Sequence, residues 1–372
     1  MRRNPEFVIQ TKALLTGIRR YHRYQVSLNL NLVENFEQLM KKYDVYGIGN
    51  ALVDIEYHTS NEKLAELGIE KGLMTLIDEQ KQNNLITYLG ESHESMACGG
   101  SAANTIIGLA QMGARTHFDC RVANDITGQF FIQDLHDSGV HSSLSLNDSL
   151  TGVTGKCLVF ATPDADRTMN TFLGASGLLD VSDIDEEAIK HSEYVYLEGY
   201  LVSADCTRSA AIQARHIAED VKVKTALTLS DPNMVIFFRE GIQDMLGNGV
   251  DLLFANEDEA CEMAQSQDLS GAIESIKRVA KTFAITRGKL GALLYDGSDL
   301  IEIAAHQVDA IDTLGAGDLF AGAFLYGRSQ GMNFQQSGDL ASLASSKIVT
   351  RYGPRLVTSD TQKLLDSFRS GI

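Results

Sequence analysis

A glycine-rich run near the carboxyl end, D-T-L-G-A-G-D-L-F-A-G-A-F-L-Y-G (312–327), carries the residue types best suited to chemistry. Gly315, Ala316 and Gly317 are too small to shield their backbone, and Asp318 follows at once. Phe320 and Phe324 then fall four apart, the spacing of one helix face. A glycine turn that opens a helix presents unpaired N–H groups at the positive end of the helix dipole, a setting that suits an anion. A carboxylate inside that turn gains a purpose if it takes a proton from a hydroxyl while the N–H groups neutralise a phosphoryl group. On this stretch alone, the same residues also read as an ordinary helix start with Asp318 in its first turn.

Two other stretches supply partners for such chemistry. C-G-G-S-A-A-N (98–104) is a second glycine turn into a helix, with Ser101 placed to cap it and Gly113 to end it. In Y-G-I-G-N-A-L-V-D-I (46–55), a strand, a turn and a second extended piece leave Asn50 and Asp54 where the first strand runs out. Asp54 with Gly99, Gly100 and Asn104 reads as a polyol-binding floor: a carboxylate accepts two hydroxyl protons and an amide fixes their orientation. The blander reading has Asn104 bonding within its own turn. Gly47 and Gly49 do not begin a dinucleotide fingerprint, because Leu52 stands where the third glycine belongs, and this sets aside an NAD-linked oxidoreductase.

The elements that must position these residues alternate. Strands are expected at 116–121, 194–197, 224–230, 251–255, 283–287 and 292–295, with helices over 73–90, 205–219, 235–246 and 337–350. Strands separated by helix-length segments imply an α/β fold: a central, mostly parallel sheet with helices on both faces. Asp231, Asn233, Asn256, Glu259 and Arg287 fall at carboxyl ends of expected strands, where open α/β sheets bind ligands. Asn256 and Glu259 also fit a cap with its capping-box partner. Residues 152–172 lack intervening helices and read as a small antiparallel sheet set apart from the main body, turned at Pro163-Asp164.

Composition narrows the function. At 372 residues the chain suits one large domain with an appended element, and a formal net charge of −17 argues against a nucleic-acid surface. No stretch is apolar for long enough to cross a bilayer as a helix. The five scattered cysteines, without a C-x-x-C pair, fit a reducing compartment, so a cytoplasmic location is expected. Residues 1–40 differ from the rest: the first 23 carry Arg2, Arg3, Lys12, Arg19, Arg20 and Arg23 against Glu6. A basic extension that packs on the body or binds a partner is expected there, rather than a secretory signal.

Three segments, G-G-S-A-A-N (99–104), F-A-N-E-D-E (254–259) and D-T-L-G-A-G-D (312–318), resemble the signatures of the ribokinase-like (PfkB-type) carbohydrate and nucleoside kinases. G-N-A-L-V-D-I (49–55), Y-L-E-G-Y-L-V-S (196–203) and D-L-L-F-A-N-E-D-E-A (251–260) look closer to adenosine kinases within that family. The resemblance implies a three-layer α/β sandwich over 41–372 with a β-sheet lid formed from about 52–66 and 150–174. It implies ATP-dependent phosphorylation of the 5′-hydroxyl of adenosine or a similar nucleoside, or else of a free sugar such as ribose or fructose. Asp318 matches the catalytic base, and Gly315, Ala316 and Gly317 match the anion hole. Asn50, Asp54, Gly99, Gly100, Ser101 and Asn104 match the acceptor pocket, with Arg167 reaching the transferred phosphate and Phe237 or Phe238 stacking on a purine. Thr286, Arg287 and Gly288, with Gly315 and Gly317, fall on the ATP side. Asn256 and Glu259 match residues that organise Mg2+ largely through waters, and Asp312 lies near the monovalent cation (K+) that some relatives need. Relatives occur as monomers and as homodimers joined through their lids.

Overall fold

The computed structural model describes residues 41–371 apart from 73, 91–94, 145–151 and 164–166. The basic extension expected over 1–40 lies outside the described residues, and the compact unit that holds the site begins at Tyr43. Its strands, in chain order, are β1 (Tyr43–Ile48), β2 (Leu52–His58), β3 (Met74–Leu76), β4 (Ser95–Gly99), β5 (Thr116–Asp119), β6 (Thr154–Ala161) and β7 (Arg167–Gly174). They continue with β8 (Ser192–Glu198), β9 (Lys224–Thr228), β10 (Val250–Asn256), β11 (Ala280–Thr286), β12 (Ala292–Tyr295) and β13 (Leu300–Ile303).

Eight of these form one sheet in the order β13-β12-β11-β10-β9-β8-β1-β5. Pairing is parallel from β5 through β11 and antiparallel only at β11–β12 and β12–β13. Both faces are covered, and the central strands show it residue by residue. Val45, Tyr194 and Tyr196 pack into one apolar core, while Tyr46, Ile48, Val195 and Leu197 pack into another on the opposite face. The chain leaves β1 for β5 on one side and later returns to β8 on the other. The crevice beyond the carboxyl end of β1 is therefore the topological switch point.

The second sheet has the order β3-β7-β6-β2-β4. It is mixed rather than antiparallel, because β2 pairs parallel with β6 and β3 parallel with β7. It also recruits β3 from a segment expected to be wholly helical, whose helix starts only at Glu79, and residues 61–66 form a short helix rather than lid strand. Nor is the sheet set apart: Val53, Ile55, Tyr57, Leu158 and Phe160 on its far face share a core with Leu64, Leu85 and Phe131 of three covering helices. The period-two alternation turns the other face, with Leu52, Asp54, Met74, Leu76, Met169, Thr171 and Leu173, toward the crevice.

The helix Ala316–Ser329 is buried without a break from Leu319 to Gly327. Phe324 fixes it, with ring centroids 5.7 Å from Phe254 and 5.4 Å from Phe334 in edge-to-face contact and 6.4 Å from Phe320 in a stack. Truncating Phe324 to Ala should cost about 3–5 kcal/mol, read as a lower urea midpoint with an unchanged m-value. A loss below about 1 kcal/mol would mean that the neighbouring rings collapse into the gap.

Candidate active site

The switch point opens into a cavity of about 530 Å³ that runs from the lid strands to the carboxyl ends of β9, β10 and β11. Asp318 lies at its centre. Its Oδ1 accepts from Ser101 Oγ at 2.6 Å and its Oδ2 from Asn104 Nδ2 at 3.0 Å. Ser101 is thus a positioner of Asp318 rather than the cap expected from sequence; Gly100 holds the cap position and makes no side-chain bond there. Asn104 likewise bonds across to the second helix instead of within its own turn. Its Oδ1 is buried without a protein partner, an acceptor left over on the cavity wall.

The turn before Asp318 depends on Gly315. At φ 74° a side chain is strained, and a Cβ there would stand 2.2 Å from the carbonyl oxygen of Pro354. Among the expected donors, the Ala316 N–H is taken by the Thr313 carbonyl at 3.2 Å, and Ala316 does not line the cavity. Gly315 and Gly317 do line it, in the open first turn of a helix without a side-chain cap.

Asp54 projects from β2 between Ala97 of β4 and Cys157 of β6. Its carboxylate presses on Gly99, where a Cβ would be 2.2 Å away, so only glycine leaves room for it. Burial pushes Asp54 up to about 7; Arg355 pulls it back, and Asp318 and Glu56 raise it further. Asp318 is raised to about 6, again chiefly by burial, with the bonds from Ser101 and Asn104 opposing. Two carboxylates that sense each other across one cavity can grip an alcohol and receive its proton.

Glu198, to which the sequence reading gave no role, ties the floor together. It ends β8 and is fully buried. Its Oε1 accepts from Asn50 Nδ2 at 2.6 Å and Asn50 N at 3.2 Å, and its Oε2 accepts from Ala102 N at 2.7 Å. Asn50 in turn accepts from Ser176 Oγ at 2.8 Å. One carboxylate therefore fixes both the exit of β1 and the start of the helix that bears Ser101 and Asn104. Burial raises Glu198 to about 7 against those bonds. A polar residue at a strand's carboxyl end was the signal that could have found it.

Arg167 is held between carboxylates of both parts of the structure. It donates to Glu56 Oε1 at 2.6 Å within the lid and to Asp312 Oδ2 at 2.7 Å in the body, and Tyr352 lies 5.5 Å from its guanidinium. Asp312 also accepts from Leu314 N and Gly353 N at 3.0 Å each. Asp312 is thus paired with a guanidinium. Asn256 and Glu259 form a complete capping box, with the Glu259 side chain bonded to Asn256 N at 2.9 Å and Nδ2 at 2.7 Å. Both also line the cavity, as does Thr286. No group of three His, Cys, Asp or Glu able to hold a metal occurs among the described residues.

Four expected residues, Phe237, Phe238, Arg287 and Gly288, stand elsewhere. Phe237 is 73% exposed and lines no part of the cavity, because the helix Pro232–Leu246 buries Met234 and Val235 and turns Phe237 outward. Its neighbour Phe238 packs half-buried in the core on the opposite face of the sheet from the helix bearing Asp318. Arg287 bonds to Glu257 at 2.8 Å, and neither it nor Gly288 reaches the cavity, since β11 ends at Thr286 and the next residues turn away.

Two experiments probe this geometry. A carboxyl raised on folding stabilises the fold while protonated; that contribution is complete below its unfolded value near 4 and is lost as pH rises through the folded value. Asp318→Asn should therefore resist urea better than the wild type at pH 8, with the gap closing near about pH 4, because a turned Asn104 amide can accept from the new one. An equal or lower midpoint at pH 8 would show that burial does not strain the carboxylate. Glu198→Gln sets an amide donor against Ala102 N–H, and should raise the acceptor KM about tenfold while leaving the KM for nucleotide alone. An acceptor KM equal to the wild type's would remove Glu198 from the floor.

The chain is similar to known kinases along most of its length. Residues 73–361 match the family described as pfkB family carbohydrate kinase. A 5-dehydro-2-deoxygluconokinase of Clostridium beijerinckii is 25% identical over 332 residues, 84% of this chain and 88% of its own length. The solved adenosine kinase of Sinorhizobium meliloti is 34% identical with a TM-score of 0.81, covering 89% of this chain and 100% of that one. A probable sugar kinase of Rhizobium etli is 32% identical with a TM-score of 0.82, covering 89% of this chain and 99% of its own. A match that runs from the lid strands through the Gly315 turn and into the last helix shows that this chain belongs to the pfkB carbohydrate kinase family.

Proposed function

We propose that this kinase transfers the γ-phosphoryl group of ATP to the 5′-hydroxyl of adenosine or a similar nucleoside. The observation that carries this reading is the pair Asp54 and Asp318, which line one cavity from opposite sides with open helix N–H groups beside the second. Asp54 holds the vicinal hydroxyls of the acceptor. With those hydroxyls held on the lid side, the primary hydroxyl faces Asp318. Asp318 accepts the proton late, as the bond to the phosphoryl forms, so an ordinary carboxylate suffices. The N–H groups of Gly315 and Gly317 face the transferred charge.

Mg2+ bound to ATP would supply charge neutralisation of the phosphates. Asn256 and Glu259 would hold its waters, and Thr286 would lie on the nucleotide side. Arg167 already bridges Glu56 and Asp312 at the cavity's rim, and a phosphate arriving there would share its guanidinium with them. A role for K+ finds less support, since Arg167 occupies Asp312.

The nucleoside reading is supported by the adenosine kinase of S. meliloti and by the apolar lid face formed by Leu52, Met74, Leu76, Met169 and Leu173, suited to a base. A free sugar is the second reading, favoured by the names of the curated relatives. An ATP-consumption screen over adenosine, inosine, ribose, fructose and 2-keto-3-deoxygluconate separates them. Asp318→Ala should lower kcat by about 10²–10⁴-fold with little change in the KM for ATP. Turnover of sugars alone would replace the nucleoside reading, and full turnover by Asp318→Ala would remove Asp318 as the base.

A further inference from the structure

The charges around the cavity are lopsided. Among the described residues that line it, Asp54, Glu198, Asp231, Glu259 and Asp318 are acidic and Arg167 is the one cationic side chain. That guanidinium is already clamped by Glu56 and Asp312 at 2.6 and 2.7 Å. Arg355, the cation that Asp54 senses, is itself bonded to Asp134 at 2.8 Å and does not line the cavity. The lid face over the acceptor end offers Leu52, Met74, Leu76, Cys157, Met169 and Leu173, none of them charged.

We infer that this site takes uncharged acceptors and rejects sugar acids, the class to which the gluconate in the curated relatives' names belongs. The inference rests on the kinase reading above and narrows its acceptor. A carboxylate entering from water loses its hydration and meets the carboxyl groups of Asp54, Asp318 and Glu198, which offer it no cation and which its own charge makes harder to ionise. Among the described lining residues the anion-seeking groups are the open N–H groups of the Gly315 turn and the shared guanidinium of Arg167, and the transferred phosphoryl needs both. Rejection is built from repulsion as well as from missing contacts, which is how a site discriminates between acceptors of similar shape. A polyol that carries an apolar group instead gains the lid face.

Matched acceptors test this with the full chain and MgATP, with ADP release followed and Asp318→Ala as the blank. Ribose against ribonate, and adenosine against 5-dehydro-2-deoxygluconate, should each favour the uncharged member by about 100-fold or more in kcat/KM. Leu173→Arg, which adds a cation to the lid face, should shrink the ribose-to-ribonate ratio about tenfold. Acids turned over as well as or better than their uncharged partners would overturn the inference and leave the kinase reading intact. Acceptor-dependent ADP release with neither class would remove both.

Discussion

The carboxylate of Asp318 draws its partners from far along the chain. Ser101 and Asn104, which hold its two oxygens, lie more than two hundred residues away in sequence. The distance is bridged because two helices begin at the same crevice, and Thr105 Oγ1 donates to the Asp318 carbonyl at 3.2 Å, locking one helix start to the other. Everything that could matter for phosphoryl transfer hangs on that crossing. The open first turn at Gly315, the carboxylate of Asp318 and the side chains of Ser101 and Asn104 keep their spacing only while both helices keep theirs. Rigid elements serve this purpose better than loops, since positioning supplies much of the rate in such reactions.

The same crevice stores electrostatic cost. Asp54, Glu198, Glu259 and Asp318 are all raised to about 6 or 7, each first by burial and each with a neighbouring carboxylate contributing or nearby. A protein selected only for stability would replace such groups, because four buried acids oppose the fold once they ionise. Their concentration at one end of the sheet marks the site as directly as the glycine turns do.

How much of this was legible in the sequence follows from how local each feature is. The Gly315 turn with Asp318, and the capping box of Asn256 and Glu259, are set by spacings of a few residues, and both occur as read. The parallel sheet was legible because β-strands and helices alternate, each with its own period. Lid membership was not, since β3 and β4 are short and reveal themselves only through pairing with β7 and β2. Phe237 was misplaced because a helix-face aromatic gives no sign of which face meets solvent. Glu198 carried a visible cue, a charged residue ending an apolar strand, but its three donors come from segments about 100 and 150 residues earlier.

The lid differs from a flap hinged over a cleft. Its far face is continuous with the main apolar core through Val53, Ile55 and Tyr57, and its near face reaches the body through Arg167 between Glu56 and Asp312. A sheet anchored on one face by packing and on the other by a paired guanidinium is preorganised. Opening by a hinge would cost buried apolar area, whereas exchanging a carboxylate of Arg167 for a phosphate costs only a trade of anions. The change of lowest cost is therefore an exchange of partners at Arg167, while the packed strands around Asp54 stay fixed. The face that β2, β3, β6 and β7 turn to the crevice is then a preformed surface.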